Sequence, residues 1–127
     1  MTHAPARGDD GPVTEIAELA AAVREFSRER DWEHFQDPKS LVLALVGEVG
    51  ELAELFQWVP ADEAVERFAA SDRRARAGEE MADVLVYLVR LADVLGVDLG
   101  AAARAKLADS HRRFPAADVR GVAPHKP

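Results

Sequence analysis

The sequence predicts an all-α fold, a bundle of four to five helices built around a helical hairpin. Apolar residues recur three and four positions apart through most of the chain, as they do on the buried face of a helix. The composition is rich in Ala, Leu, Glu and Arg, which favour helices, and contains few β-branched residues other than Val. No segment shows the alternation of apolar and polar residues that is typical of a half-buried strand.

The first helix is predicted to begin at Thr14, a candidate N-cap, and to end near Arg30. The apolar residues of its buried face are Ile16, Leu19, Ala20, Val23 and Phe26. Residues 31–38 lack a helical period, so they are expected to form a loop that carries Trp32 and Phe35.

The second helix is predicted to begin at residue 39 or 40 and to end at Val59, because Pro60 follows. Residues 41–46 are apolar on nearly all sides, so this half of the helix should be central and covered on most sides. Gly47 and Gly50 each cost about 1 kcal/mol relative to Ala inside a helix. We expect them to allow either close helix packing or access for a ligand.

The same period, together with helix-ending residues, predicts three further helices. They cover residues 62–70, 72–95 and 99–113. Gly96 is the expected C-terminal cap of the longest one, because glycine adopts the left-handed conformation readily. Residues 14–115 are expected to form one domain, between a disordered tail at 1–13 and a loose tail at 116–127.

Charge and composition exclude several classes of function. The formal net charge of −7 opposes binding to a nucleic-acid polymer, because contact with a phosphate backbone requires a basic surface. The chain has no cysteine, so disulfide bonds and thiolate chemistry are excluded. Residues 1–12 lack the apolar core of a secretion signal, and no apolar run approaches the ~20 residues that span a bilayer. We therefore expect a cytoplasmic protein that has no membrane partner.

Two pairs of carboxylates are the strongest functional signal. Glu48 and Glu51 lie three positions apart in the second predicted helix, and Glu80 and Asp83 do so in the longest one. Side chains at this spacing point the same way. A helical hairpin that brings the two pairs together would supply four oxygen ligands, a set that Mg²⁺ or Mn²⁺ prefers.

The position of these pairs on their helices separates them from other acidic pairs with the same spacing. Each pair shares its helix face with apolar residues: Leu41, Ala44, Leu45, Leu52 and Leu55 for the first, and Val84, Tyr87, Leu91 and Val94 for the second. Burying unpaired carboxylates is costly or raises their pKa, and a bound cation offsets that cost. The alternatives are a solvated face at the edge of the apolar stripe, or ion pairs with Arg.

Other metal centres fit the sequence less well. A di-iron site of the ferritin type requires Glu-x-x-His on two helices, and no His stands three positions after any of these glutamates. Zinc is disfavoured because the four His are scattered, mostly in loops or tails. A cluster of carboxylates around Mg²⁺ can polarise a phosphate and activate a bound water.

Aromatic and basic residues supply further candidate contacts. Trp32 and Trp58 lie near opposite ends of the second predicted helix, and stacking a nucleobase contributes ~1–3 kcal/mol per aromatic contact. Alternatively, both tryptophans fill helix ends in the core or at a subunit interface. Lys106, Arg112 and Arg113 form a basic group late in the last helix, where cations also compensate the helix dipole.

Several separated motifs carry most of these residues. They are Arg30–Phe35, Pro38–Leu41, Gly47–Trp58, Glu79–Leu88, Lys106-Leu107 and Arg112–Pro115. In their order and content they resemble the MazG-like all-α nucleoside triphosphate pyrophosphohydrolases, and within that family they look closest to the dCTP pyrophosphatase branch. The resemblance extends from about residue 15 to residue 115.

The resemblance implies a Mg²⁺-dependent enzyme that removes excess or modified nucleotides. It would hydrolyse (deoxy)nucleoside triphosphates, dCTP-like ones first, between the α- and β-phosphates to give the monophosphate and pyrophosphate. The implied cation ligands and catalytic residues are Glu48, Glu51, Glu80 and Asp83, one of which orients the attacking water. The implied substrate contacts are Trp32 and Trp58 at the base, Phe26 and Tyr87 nearby, Lys106 and Arg113 at the phosphates, and Ser110 in the Lys106 motif. A homodimer or homotetramer with sites lined by more than one chain is also implied.

Four positions depart from the family pattern, and all concern nucleotide recognition. Ser40 and Ser110 stand where family members usually have Asn, and Val23 and Gln36 stand where the branch often has His. The carboxylates are retained, so the pattern favours pyrophosphohydrolase chemistry more strongly than a cytosine preference. The alternatives are phosphoribosyl-ATP or dUTP hydrolysis on a related scaffold, and a catalytically silent helical oligomer that binds nucleotides or a protein.

Overall fold

The fold is all-α in residues 12–124, the part of the chain that this computed structural model describes, as the sequence predicts. The helices are α1 (Pro12–Glu29), α2 (Pro38–Phe56), α3 (Ala64–Arg67), α4 (Ser71–Leu95), α5 (Leu99–Arg113) and α6 (Ala116–Val119). Two 3₁₀ turns, Glu33–Phe35 and Ala61–Glu63, lie in the connections before α2 and α3. Within residues 12–124, no helix has the length and hydropathy that crossing a bilayer requires.

The most extensive packing is between α2 and α4, which form the predicted helical hairpin. On the other side, α1 packs against α4 and α5. The most deeply buried large side chains are Leu41 of α2 and Val89 of α4, because each lies where two helices meet. The connection between the two hairpin helices carries α3, so it returns the chain along the end of the hairpin.

The start of α2 is fixed by a capping arrangement that was not predicted from the sequence. Asp37 is the N-cap, and one of its carboxylate oxygens accepts a hydrogen bond of 3.0 Å from the backbone N–H of Ser40. The Ser40 hydroxyl donates to the other oxygen at 2.7 Å. The N–H of Ser40 is the main reason that the pKa of Asp37 lies below its ordinary value. With Pro38 in the first turn, α2 begins one or two residues before the predicted start.

The ends of the helices differ from prediction in several places. α2 ends at Phe56 rather than Val59, because the residue before a proline disfavours helical backbone and Pro60 has no N–H to donate. The helix predicted over residues 62–70 is a 3₁₀ turn followed by the four residues of α3. The predicted Gly96 cap is confirmed, since this glycine ends α4 with a φ of 69°. The predicted helix over residues 99–113 matches α5, whose N-cap is Asp98.

The predicted tails are partly helical where the structure describes them. α1 begins at Pro12, two residues before the predicted start at Thr14. α6 adds one helical turn within residues 116–127, which were expected to be loose. The rest of the two predicted tails, residues 1–11 and 125–127, lies outside the described part of the chain.

The apolar first half of α2 is exposed in the single chain, so the prediction that it is covered on most sides is wrong for one copy. Leu41 is buried, but Leu43 and Val46 are 63% and 61% exposed. The reason is that α4 covers only one side of α2. At Gly47 and Gly50 an added Cβ would meet no atom within 4 Å, so these glycines do not serve close packing inside one chain.

Candidate functional site

The α2–α4 hairpin brings the four predicted carboxylates together. One oxygen from each of Glu48, Glu80 and Asp83 can be chosen so that all three lie within 4.8 Å of one another. Glu51, one turn along α2 from Glu48, lies outside this group of three, but its carboxylate is near enough to raise the pKa of both Glu48 and Glu80. The i, i+3 spacing places the two members of each pair on one face of their helix, and the packing of α2 against α4 sets the two pairs opposite each other.

The electrostatic environment of this carboxylate cluster disfavours negative charge. Oε2 of Glu48 and Oε2 of Glu80 are buried without a hydrogen-bond partner. Burial is the largest cause that raises the pKa of both side chains, and the neighbouring carboxylates, Glu51 first, raise it further. Among the described residues none of the four carboxylates forms an ion pair with Lys or Arg, so the alternative of internal ion pairs is not observed.

The donor set of the cluster fits a hard divalent cation. All its ligand atoms are carboxylate oxygens, and no His belongs to the group. Two buried oxygens lack a partner, which is costly unless a cation supplies the missing contact. The residues therefore suit Mg²⁺ or Mn²⁺ better than zinc, which favours nitrogen and sulfur ligands.

A cavity of about 700 Å³ adjoins the carboxylate cluster at the end of α2. Its lining residues are Glu51, Glu54, Leu55, Trp58, Val59, Arg67, Phe68, Arg73, Arg76 and Glu80. We call it the arginine cavity, because three arginines line it together with two carboxylates of the cluster. Arg76 stands one helical turn before Glu80, and its positive charge opposes the rise in the pKa of Glu80.

These arginines are not among the site residues predicted from the sequence. The available signal was the spacing of Arg73 and Arg76, which lie three positions apart on the first turns of α4 and so on one face. Arg67 gave no such signal, because its place beside the cluster depends on how the short α3 turns back toward α4.

A second, smaller cavity of about 220 Å³ lies on the opposite side of the carboxylate cluster. It is lined by Trp32, Phe35, Gln36, Ser40, Leu41, Ala44 and Tyr87. We call it the aromatic cavity. Ala44 lies one turn before Glu48 on α2, and Tyr87 lies one turn after Asp83 on α4. The aromatic cavity is therefore next to the cluster along the hairpin.

The loop before α2 positions the aromatic residues of this cavity. Asp31 has a positive φ of 53°, which turns the chain after α1 and is tolerated well by aspartate. The backbone N–H of Trp32 then donates to the carbonyl of Ser27 at 2.9 Å. The Trp32 ring packs edge-on against Phe26, with ring centroids 5.8 Å apart, and the Arg30 guanidinium covers the Phe26 ring. Phe26 thus supports Trp32 rather than lining the cavity itself.

The aromatic cavity, the carboxylate cluster and the arginine cavity follow one another along the hairpin. On α2 the sequence of lining residues is Ala44, then Glu48 and Glu51, then Leu55. At a rise of 1.5 Å per residue, Ala44 and Leu55 are ~16 Å apart along the helix axis. This length is comparable to that of an extended nucleoside triphosphate.

Besides Phe26, four predicted substrate contacts do not line the aromatic cavity in a single chain: Trp58, predicted at the base, and Lys106, Ser110 and Arg113, of which Lys106 and Arg113 are predicted at the phosphates. Trp58 is 85% exposed and lines the arginine cavity, so it does not flank the same ligand position as Trp32. Lys106, Ser110 and Arg113 lie on α5, which packs against α1, and they line neither cavity. The Ser110 hydroxyl donates to the carbonyl of Lys106, and Arg113 pairs with Asp109 at 3.0 Å.

The chain is similar to known proteins of one family. Residues 44–123 match the model of the MazG-like family. The chain is 46% identical over 115 residues to dCTP pyrophosphatase 1 of Homo sapiens, and 50% identical over 99 residues to that of Bos taurus. These alignments cover 91% and 78% of this chain, and the chain spans 68% and 59% of the two relatives. A crystal structure of a pyrophosphatase from Archaeoglobus fulgidus superposes with a TM-score of 0.73 at 36% identity, covering 80% of this chain and 93% of that one.

Proposed function

The chain belongs to the MazG-like family, and from this premise we propose that it is a nucleoside triphosphate pyrophosphohydrolase that accepts dCTP-like substrates first. The reaction gives the nucleoside monophosphate and pyrophosphate, and it would clear unwanted nucleotides from the pool. The relatives named dCTP pyrophosphatase 1 support this assignment. The described site supports it independently, through its donor set and through the order of its parts.

The observation that carries the proposal is the linear order of two cavities and a carboxylate cluster along one hairpin. A base fits between the aromatic side chains, and the β- and γ-phosphates fit beside the three guanidinium groups of the arginine cavity. The α-phosphate then lies at the carboxylates, between the two. Cleavage at that phosphorus releases pyrophosphate on the side of the arginines, which is the reaction named above.

We propose that Glu48, Glu51, Glu80 and Asp83 hold Mg²⁺, with Mn²⁺ as the alternative. The bound cation would neutralise phosphate charge and lower the pKa of a water molecule. Beyond holding the cation, one of the four carboxylates orients the attacking water and receives its proton. Arg73 and Arg76 hold the leaving pyrophosphate by charge-assisted hydrogen bonds.

The proposal includes assembly with a second copy of the chain. The outer face of α2 exposes a run of large apolar side chains, Val42, Leu43, Val46 and Val49. Such a continuous patch is typical of a protein–protein interface. A second copy would cover this patch, and it would supply an environment for Trp58, Lys106, Ser110 and Arg113 that one chain lacks. These four residues therefore remain proposed substrate contacts in the assembled protein only.

The test is pyrophosphate release from a panel of nucleoside triphosphates with and without Mg²⁺. We expect release from dCTP that requires the cation, and we expect Glu80→Gln to lower kcat on the order of 10²-fold because one cation ligand is lost. Glu79→Gln is the matched control, since Glu79 is exposed and outside the cluster. A wild-type rate in Glu80→Gln would contradict the site. No release from any triphosphate would favour a silent nucleotide-binding protein.

A further inference from the structure

Gln36 is a polar side chain that faces the aromatic cavity and is held there by a buried arginine. It directly follows the 3₁₀ turn Glu33–Phe35 and lines the cavity beside Trp32 and Tyr87. Its Oε1 accepts a hydrogen bond of 2.8 Å from Nε of Arg90, a buried residue of α4. Arg90 is one turn after Tyr87, so α4 presents both residues to the same region.

The chemistry of Arg90 fixes the orientation of the Gln36 amide. A guanidinium group has only donors, so the carbonyl oxygen of Gln36 must face it and the NH₂ group must face away. In residues 12–124, we observe no hydrogen bond from that NH₂ group to a protein acceptor. Rotation of the amide by half a turn would set donors against donors. Gln36 therefore presents a donor, and not an acceptor, to a ligand in the cavity.

Arg90 is itself held in place by a chain of ion pairs that runs back to α1. Its Nη1 donates to Oδ2 of Asp93 at 3.0 Å, and the same oxygen accepts from Nε of Arg24 at 2.8 Å. The Arg24 hydrogen bond is the main reason that the pKa of Asp93 is lowered, so Asp93 stays ionised at neutral pH. The contact between Arg90 and Gln36 thus belongs to a connected network that spans two helices and the loop.

We propose that Gln36 determines base specificity by donating to an acceptor on the pairing edge of the base, with Arg90 as the positioning residue that keeps the amide in this orientation. This inference rests on the proposed function. Both cytosine and uracil carry an acceptor at O2, but position 3 is an acceptor in cytosine and an N–H donor in uracil. A group that only donates and is directed at position 3 therefore pairs with cytosine and meets a donor in uracil, and such a mismatch leaves polar groups unpaired.

The test measures kcat and KM for dCTP and dUTP in four variants of Gln36 and Arg90 and in one control. Gln36→Met keeps the size and removes the donor, so we expect the KM for dCTP to rise about tenfold with little change in kcat and little change for dUTP. Gln36→Glu replaces the donor by an acceptor that pairs with Arg90, so the preference should move further toward dUTP. Glu33→Gln, in the same loop but outside the cavity lining, should keep the wild-type ratio.

The positioning role of Arg90 is tested with separate variants, because loss of a buried arginine also affects stability. Arg90→Met frees the amide to rotate, so the ratio of kcat/KM for dCTP and dUTP should move toward one while kcat is kept. Arg90→Lys still offers only donors and should restore the preference. A melting curve for each variant separates this effect from unfolding.

The proposal and the proposed function fail in different ways. The role of Gln36 is overturned if the active enzyme does not prefer dCTP over dUTP. It is also overturned if Gln36→Met keeps the wild-type preference. If the wild type releases no pyrophosphate, calorimetry of dCMP and dUMP binding tests the base preference without turnover. Equal affinity for the two monophosphates would then overturn the specificity proposal as well.

Discussion

Glu48 and Glu80 each bury a carboxylate oxygen that has no hydrogen-bond partner, and burial raises the pKa of both side chains. A raised pKa means that the folded protein favours the protonated form more than the unfolded chain does. The penalty of keeping these groups charged is absent below their ordinary value of 4.5 and grows as the pH rises through the raised value. At neutral pH the cation-free cluster therefore destabilises the fold.

Because the pKa of Glu80 is raised, we predict that Glu80→Gln raises the melting temperature by a few degrees in a chelator at pH 7, although it lowers kcat. The amide has no charge to bury, and it weakens repulsion within the cluster. Mg²⁺ should raise the melting temperature of the wild type and have much less effect on the variant. Scanning fluorimetry with and without Mg²⁺ measures both effects, and Glu79→Gln should behave like the wild type. If Glu80→Gln melts at a lower temperature than the wild type in chelator, the charged side chain of Glu80 does not destabilise the cation-free fold.

Single residues differ in how far the sequence could predict them. The carboxylates could be found, because an i, i+3 pair on an apolar helix face is a local pattern and a hairpin is enough to bring two such pairs together. The contact between Gln36 and Arg90 joins residues far apart in sequence, and neither residue carries a local signal for it. Arg67, one of the arginines that line the arginine cavity, was missed for the same reason.

At the scale of helices, the helix boundaries could be predicted where the local sequence signal is strong. Gly96 and the length of α5 were predicted correctly, since a left-handed glycine and a recurring apolar period leave few alternatives. The end of α2 was placed three residues late, because Pro60 acts on the residues before it as well as at its own position. That difference matters for the site, since it places Trp58 outside the helix and at the edge of the arginine cavity.

The first turns of α4 are predicted to bind the phosphates, so Arg76→Gln should raise KM for the preferred triphosphate. One charge-assisted hydrogen bond contributes ~1.5–3 kcal/mol, which corresponds to a rise of roughly tenfold to a hundredfold. The melting temperature should change little, because Arg76 is exposed and forms no ion pair that we observe in the described residues. Arg74→Gln is the matched control, since Arg74 is on the same helix but does not line the cavity. Equal KM values for the two variants would contradict this role for α4.

At the scale of the whole molecule, the single chain leaves its central helix half uncovered. The all-round apolar pattern of residues 41–46 predicted coverage that α4 alone does not provide. Trp58 and the basic residues of α5, which the family resemblance assigns to the substrate, also lie away from the aromatic cavity in one chain. The proposed second copy against α2 would account for both discrepancies, and a sequence pattern cannot distinguish burial inside a chain from burial between chains.

Assembly through α2 leads to the prediction that Val46→Glu produces a monomer with little activity. A charge in an apolar interface loses its hydration without gaining a partner, so the dimer or tetramer expected for the wild type should dissociate. Light scattering coupled to size-exclusion chromatography gives the mass, and pyrophosphate release gives the activity. Val65→Glu is the control, since Val65 is 89% exposed on α3, away from the outer face of α2. An assembled Val46→Glu variant with a wild-type rate would place the interface elsewhere. A monomeric wild type with full activity would show that one chain completes the site.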